Sequence, residues 1–141
     1  MLQRKSPHVE RVTSFSELRR EALDVARWNA RHPDAERRTS YVERALAGKQ
    51  GPFVAATDYM KIVSDQIRQW VPGRYVVLGT DGFGRSDGRD ALRSFFEVDR
   101  KAIALAALAA LADDGGVDRT TVKRAFAQLG VDPEKHNPVT V

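Results

Sequence analysis

The chain has 141 residues, 42% hydrophobic and 30% charged, enough for one domain with a real core. It has no cysteine, which excludes disulfides and thiolate metal sites and fits a reducing cytoplasm. The net charge of +4 arises in the first third, in arginines such as Arg4, Arg11, Arg19, Arg20, Arg37 and Arg38, while acids and bases balance from Gln50 onward. Acids interleave with these arginines, so they read as a solvated surface rather than a nucleic-acid patch. Met1 to Pro7 lacks the apolar core of a signal peptide, and a cytoplasmic location without a membrane partner is expected.

Residues 1–11 are polar and unpatterned. Val12-Thr13-Ser14-Phe15 reads as the end of a strand. Ser14 and Glu17 then make a capping-box pattern before a helix carrying Leu18, Ala22, Val25 and Ala26, which stops before Pro33. Ser40 and Glu43 repeat the capping-box pattern, and Gly48 ends a short helix. Pro52 to Thr57 reads as a strand. Asp58 is expected to cap a helix on which Met60, Val63, Ile67 and Trp70 recur at helical spacing, and Val71-Pro72-Gly73 closes it. Trp28 and Trp70 lie near helix ends and read as core or interface anchors.

The stretch Val76-Val77-Leu78-Gly79-Thr80-Asp81-Gly82-Phe83-Gly84-Arg85-Ser86-Asp87 is the most informative. Tyr75 to Leu78 is a short apolar, β-branched run that reads as a buried strand. Gly79, Gly82 and Gly84 then allow sharp turns, and Asp87 sits at an N-cap position ahead of a helix from Gly88 to Phe96. Asp99 caps an alanine- and leucine-rich helix, and its apolar run Ala102 to Ala112 is too short for a bilayer and reads as buried. Gly115-Gly116 breaks it. Asp118 caps a last helix, Thr120 to Leu129, which Gly130 closes, and Val131 to Val141 reads as an extended tail. Strands separated by helical patterns imply an α/β domain with a mainly parallel sheet of few strands and a helix-rich C-terminal half.

Groups that could carry catalysis are sparse. His8, His32 and His136 have no ligand spacing, and no serine sits in a nucleophile elbow. The glycine loop has the spacing G-x-x-G-x-G with no G-K-[ST] after it, and Asp81 and Asp87 would repel phosphate unless Arg85 or Arg89 intervened. A structural or interface loop, Gly79 to Asp87, is therefore preferred over a phosphate cradle. Asp58 and Tyr59, at the end of the other strand, are secondary candidates. The last two helices also outline a helix-turn-helix, with Lys123, Arg124 and Gln128 as contacts, which leaves a small nucleic-acid-binding or regulatory protein as the alternative.

Several ordered motifs carry a resemblance: Val12 to Leu18, Arg27-Trp28-Asn29, Arg31-His32-Pro33, Thr57 to Lys61, Gln66-Ile67-Arg68, Val71 to Tyr75, Leu78 to Asp87, Phe96 to Asp99, and Asn137 to Val141. In that order they resemble the C-terminal, transketolase-like domain of the homodimeric pyruvate dehydrogenase first component. The resemblance runs from Val12 to Val141; residues 1–11 do not share it. It implies an incomplete transketolase C-terminal-like domain over 12–141, lacking its first strand–helix unit. The family uses thiamine diphosphate and magnesium, decarboxylates pyruvate and passes the acetyl group to a dihydrolipoyl acetyltransferase core. This chain has no G-D-G…N motif for the magnesium diphosphate. By the resemblance it is a fragment that binds no cofactor or metal, holds no catalytic residue and is inactive alone. Its expected partners are the thiamine-diphosphate domains of a parent enzyme or a homodimer partner, with nucleic acid not expected. A missing edge strand would leave it prone to self-association.

Overall fold

A computed structural model describes residues 7–141; the basic N-terminal residues Arg4 and Lys5 lie outside them. Helix α1 (Phe15–Arg31) is followed by α2 (Tyr41–Leu46), strand β1 (Phe53–Ala56), the short α3 (Lys61–Asp65), a 3-10 turn at Arg68–Trp70 and strand β2 (Tyr75–Leu78). Helices α4 (Arg89–Phe95), α5 (Arg100–Asp113) and α6 (Arg119–Leu129) complete the chain, with a last 3-10 turn at Pro138–Thr140. Among the described residues β1 and β2 form a two-stranded parallel sheet, with Phe53 opposite Tyr75 and Ala56 opposite Leu78.

Local chemistry accounts for most boundaries. Ser14 accepts a hydrogen bond from the Glu17 N–H and starts α1, so Val12 to Phe15 is not a strand: the cap takes Ser14, and Phe15 is already helical. Glu17 does not complete a box there, because its carboxylate pairs with Arg20 at 2.6 Å. The box is complete at α2, where Ser40 accepts from the Glu43 N–H and Glu43 accepts from the Ser40 N–H at 2.7 Å. Asn29 brackets Arg38, donating to its carbonyl at 2.8 Å and accepting from its N–H at 2.9 Å, and so pins the loop between α1 and α2. Gly130, at φ 66°, closes α6.

Three expected caps differ. Met60 precedes α3 with no side-chain cap, because Asp58 reaches Arg93 instead. Gly88 occupies the N-cap of α4, and Asp87 accepts only from the adjacent Gly88 N–H. Asp118 stands at the N-cap of α6 without a side-chain bond. The helix expected through Trp70 ends at Asp65; Ile67 leaves helical geometry, and Arg68 donates to the Tyr75 carbonyl at 2.7 Å, tying the turn to β2.

The core lies where α1, α2 and the 3-10 turn meet the sheet. Val42, Ile67 and Tyr75 are buried together, with Phe15, Leu18, Leu46, Phe53, Trp70 and Val77 packed around them. Trp70 is thus a core anchor. Trp28 is not: it is stacked between His32, at 4.2 Å, and the Arg38 guanidinium, 3.6 Å from its ring. Helix α5 is apolar but only Leu105 and Ala110 are buried. It packs against α6 and the two strands, and Ile103 and Ala104 are exposed. The tail is not wholly extended, since Asn137 accepts from the Val139 N–H and starts a turn that buries Pro138.

Tyr75 offers a direct test of this core. Its hydroxyl donates to the Ser64 carbonyl at 2.8 Å in a buried setting. Burial first, and the Asp65 charge second, push its ionisation up from 10.0 to about 12. The unfolded phenol ionises more easily, so this contribution to stability is complete below pH 10 and is lost as pH rises towards about 12. Tyr75→Phe should cost about 1 kcal/mol at neutral pH and flatten that alkaline loss, as read from urea midpoints across the alkaline range.

Candidate functional site

The loop Gly79 to Asp87 leaves the carboxyl end of β2, and Thr57 to Met60 leaves the carboxyl end of β1. Because the strands are parallel, both loops emerge at one end of the sheet, where open α/β folds place their ligands and interfaces. They are laced together. Thr80 donates its N–H to the Tyr59 carbonyl and its hydroxyl to the Asp58 carbonyl, each at 2.9 Å. Asp81 accepts from the Lys61 N–H at 3.1 Å, and Tyr59 donates its N–H to the Thr57 hydroxyl at 3.1 Å.

Two glycines make this close approach possible. A Cβ on Gly79 would lie 2.7 Å from both the Lys61 nitrogen and the Tyr59 oxygen. Gly82, at φ +116°, turns under the tail, and a Cβ there would lie 2.6 Å from the Pro138 oxygen. Gly84 meets nothing within 4 Å. Phe83 stands at the tip, 79% exposed, and Tyr59 is 71% exposed on the neighbouring loop. The tail is fixed from a second point, where Lys135 donates to the carbonyls of Ser94 and Phe95 at 2.9 and 2.7 Å.

A cleft of about 480 Å³ opens beside the loop, lined by Asp58, Thr80, Gly82, Gly84, Arg85, Asp87, Arg89, Leu92, Arg93 and Phe96. Asp58 holds Arg93 in an ion pair at 3.0 Å, and its hydrogen bond and charge keep that guanidinium above its usual ionisation range. Arg85 lies 3.9 Å over the Phe95 ring. Of the residues singled out in the sequence, Gly79 to Asp87, Asp58 and Tyr59 are therefore brought together. The sequence pattern does not mark Arg93 or Leu92 as site residues and marks Phe96 only as a helix end and part of a family motif, although Arg85, Arg89 and Arg93 recur every fourth residue.

Lys123, Arg124 and Gln128 are exposed on α6 at the far end of the chain. Lys123 and Arg119 rim a groove between α5 and α6 whose floor is Ala109, Ala112, Val122 and Phe126. The histidines do not converge: His8 contacts Glu10 at 2.6 Å, and His32 contacts the Trp28 carbonyl at 2.8 Å. Among the described residues no three His, Asp or Glu side chains gather as metal ligands. No helix among them is long and apolar enough to cross a membrane.

Residues 3–99 match the model of the transketolase-like TK C-terminal domain. The pyruvate dehydrogenase E1 component of Pseudomonas aeruginosa is 58% identical over 129 residues, which are 91% of this chain and 15% of that relative. The E1 component of Cupriavidus necator is 53% identical over 128 residues, 91% of this chain and 14% of that relative. That of Escherichia coli K12 is 47% identical over 128 residues, 90% of this chain and 14% of that relative. The chain thus spans only about one-seventh of the length of the curated relatives it matches. Residues 3–99 cover both strands, the loop and α4, and on that match the chain belongs to the transketolase-like TK C-terminal domain family.

Proposed function

We propose that the chain acts as the C-terminal packing module of a thiamine-diphosphate-dependent pyruvate dehydrogenase first component and is catalytically silent by itself. The observation that carries this reading is the identity of 58% along 91% of the chain, confined to 15% of the relative. Residues 12–141 are then a transketolase C-terminal-like domain, and the family match, which begins at residue 3, extends it into the polar segment before Val12. A cytoplasmic location follows from the same reading.

The site chemistry supports a scaffolding role. The loop acids are engaged within the fold, Asp58 by Arg93, Asp81 by the Lys61 N–H and Asp87 by the Gly88 N–H. They do not fit a seat for a magnesium diphosphate, and the cofactor is assigned to the parent's other domains. The exposed Phe83, Tyr59, Met60 and Ile62 lie on the two laced loops and the start of α3. They form the surface that faces another domain or a homodimer partner, and the acetyltransferase core is reached only through the parent.

The test is to coexpress this chain with a Pseudomonas aeruginosa E1 component truncated before the matching region. Coelution and recovered pyruvate decarboxylation are expected. Phe83→Asp should weaken the association by about tenfold or more, since an exposed aromatic anchor is exchanged for a charge that must be desolvated. Separate elution with no recovered activity would refute the packing role.

A further inference from the structure

The cleft beside the glycine loop carries positive charge that the fold does not use. Arg93 is matched by Asp58 and is spent within the chain. Asp87 already accepts from the Gly88 N–H at 2.7 Å. Arg89 lines the same cleft and makes no hydrogen bond or ion pair among the described residues. Arg85 lies over the Phe95 ring, and among those residues it too has no carboxylate partner.

Two guanidinium groups thus border one cleft without an ion-pair partner, and three arginines against the carboxylates of Asp58 and Asp87 leave its lining with a net charge of +1. Low-dielectric walls concentrate the field of such groups, and their fork of N–H donors matches carboxylate and phosphate oxygens. Leu92 and Phe96, both half-buried, give the cleft an apolar side beside the polar Thr80 and Asp87. A volume near 480 Å³ is that of a site for a small organic molecule. The cleft also lies outside the carboxyl ends of parallel strands, where such folds take ligands.

We propose that this cleft binds a small organic anion, its phosphate or carboxylate held by Arg89 and Arg85 and its apolar body lying on Leu92 and Phe96. The ion pair between Asp58 and Arg93 sets the back wall and excludes a second anion. All of these residues belong to this chain, so a titration of the chain by itself tests the cleft without a parent enzyme.

The full chain is titrated with phenyl phosphate, phenylacetate, inorganic phosphate and benzyl alcohol while amide chemical shifts are followed by NMR. Saturable shifts are expected in Thr80 to Arg93 with one or both aromatic anions, weaker ones with inorganic phosphate and none with benzyl alcohol. The tighter of the two aromatic anions identifies the head group. Arg89→Gln should weaken binding by about tenfold while Arg100→Gln leaves it unchanged. Arg89 is exposed, so a dispersed spectrum reports intact folding, and Arg89→Lys should retain part of the affinity. Shifts spread over arginines throughout the surface, no saturation below about 10 mM, or equal affinity in Arg89→Gln would each overturn the proposal.

Discussion

Replacing Gly79 by alanine should destabilise the chain by about 3 kcal/mol, a loss that urea unfolding followed by circular dichroism will register as a lower midpoint. Gly79 is buried at the exit of β2, and the added methyl would sit 2.7 Å from two backbone atoms of the neighbouring loop. Neither atom belongs to a flexible side chain, so the clash can be relieved only by parting the loops. That movement breaks the bond from the Thr80 N–H to the Tyr59 carbonyl and the one from the Lys61 N–H to Asp81. Gly84→Ala is the matched control. Its methyl meets nothing within 4 Å, and its effect should stay within about 0.5 kcal/mol. Equal losses at the two positions would show that loop glycines matter here for chain flexibility and not for close approach.

Ile67→Ala should cost about 3 kcal/mol in the same measurement, and Ile67→Val about 1 kcal/mol. Ile67 is 6% exposed and joins Val42 and Tyr75 at the centre of the core. Shortening it leaves a cavity among residues contributed by α2, the 3-10 turn and β2, which cannot collapse together without moving the sheet. Ile62, five residues earlier and 63% exposed, is the comparison, and its truncation should be close to neutral for folding. Such losses are a large share of the stability of a domain this size, so a measurable native baseline in urea is itself informative.

The elements whose boundaries were legible in the sequence are those fixed by neighbours along the chain. Ser40 with Glu43, Asp99 with the Ala102 N–H, and Gly130 at the end of α6 each act within a few residues, and the pattern states them directly. Asp58 resembles these caps in sequence but is claimed by Arg93, and only the fold reveals a partner 35 residues away. The same limit applies to the helix around Ile67, which Arg68 breaks by reaching β2. Composition overstated the burial of α5, because an alanine- and leucine-rich run records what a helix can cover, whereas burial depends on what packs against it. The glycine loop is legible as a unit, but the cleft is not. Its walls come from α4 as well as the loop, and the four-residue recurrence of Arg85, Arg89 and Arg93 was the available signal.

The two-stranded parallel sheet also governs the time course of folding. Parallel neighbours cannot be joined by a tight hairpin, and here the whole of residues 57–74 must fold back before Phe53 can meet Tyr75. Loop closure therefore precedes any ladder bond, while α1 and α2 can assemble from local contacts alone. The barrier to the native state should lie at the docking of β2 onto β1. Ile67 and Tyr75, which bridge the returning segment to the earlier helices, are the places where a lost side chain should slow folding more than it hastens unfolding.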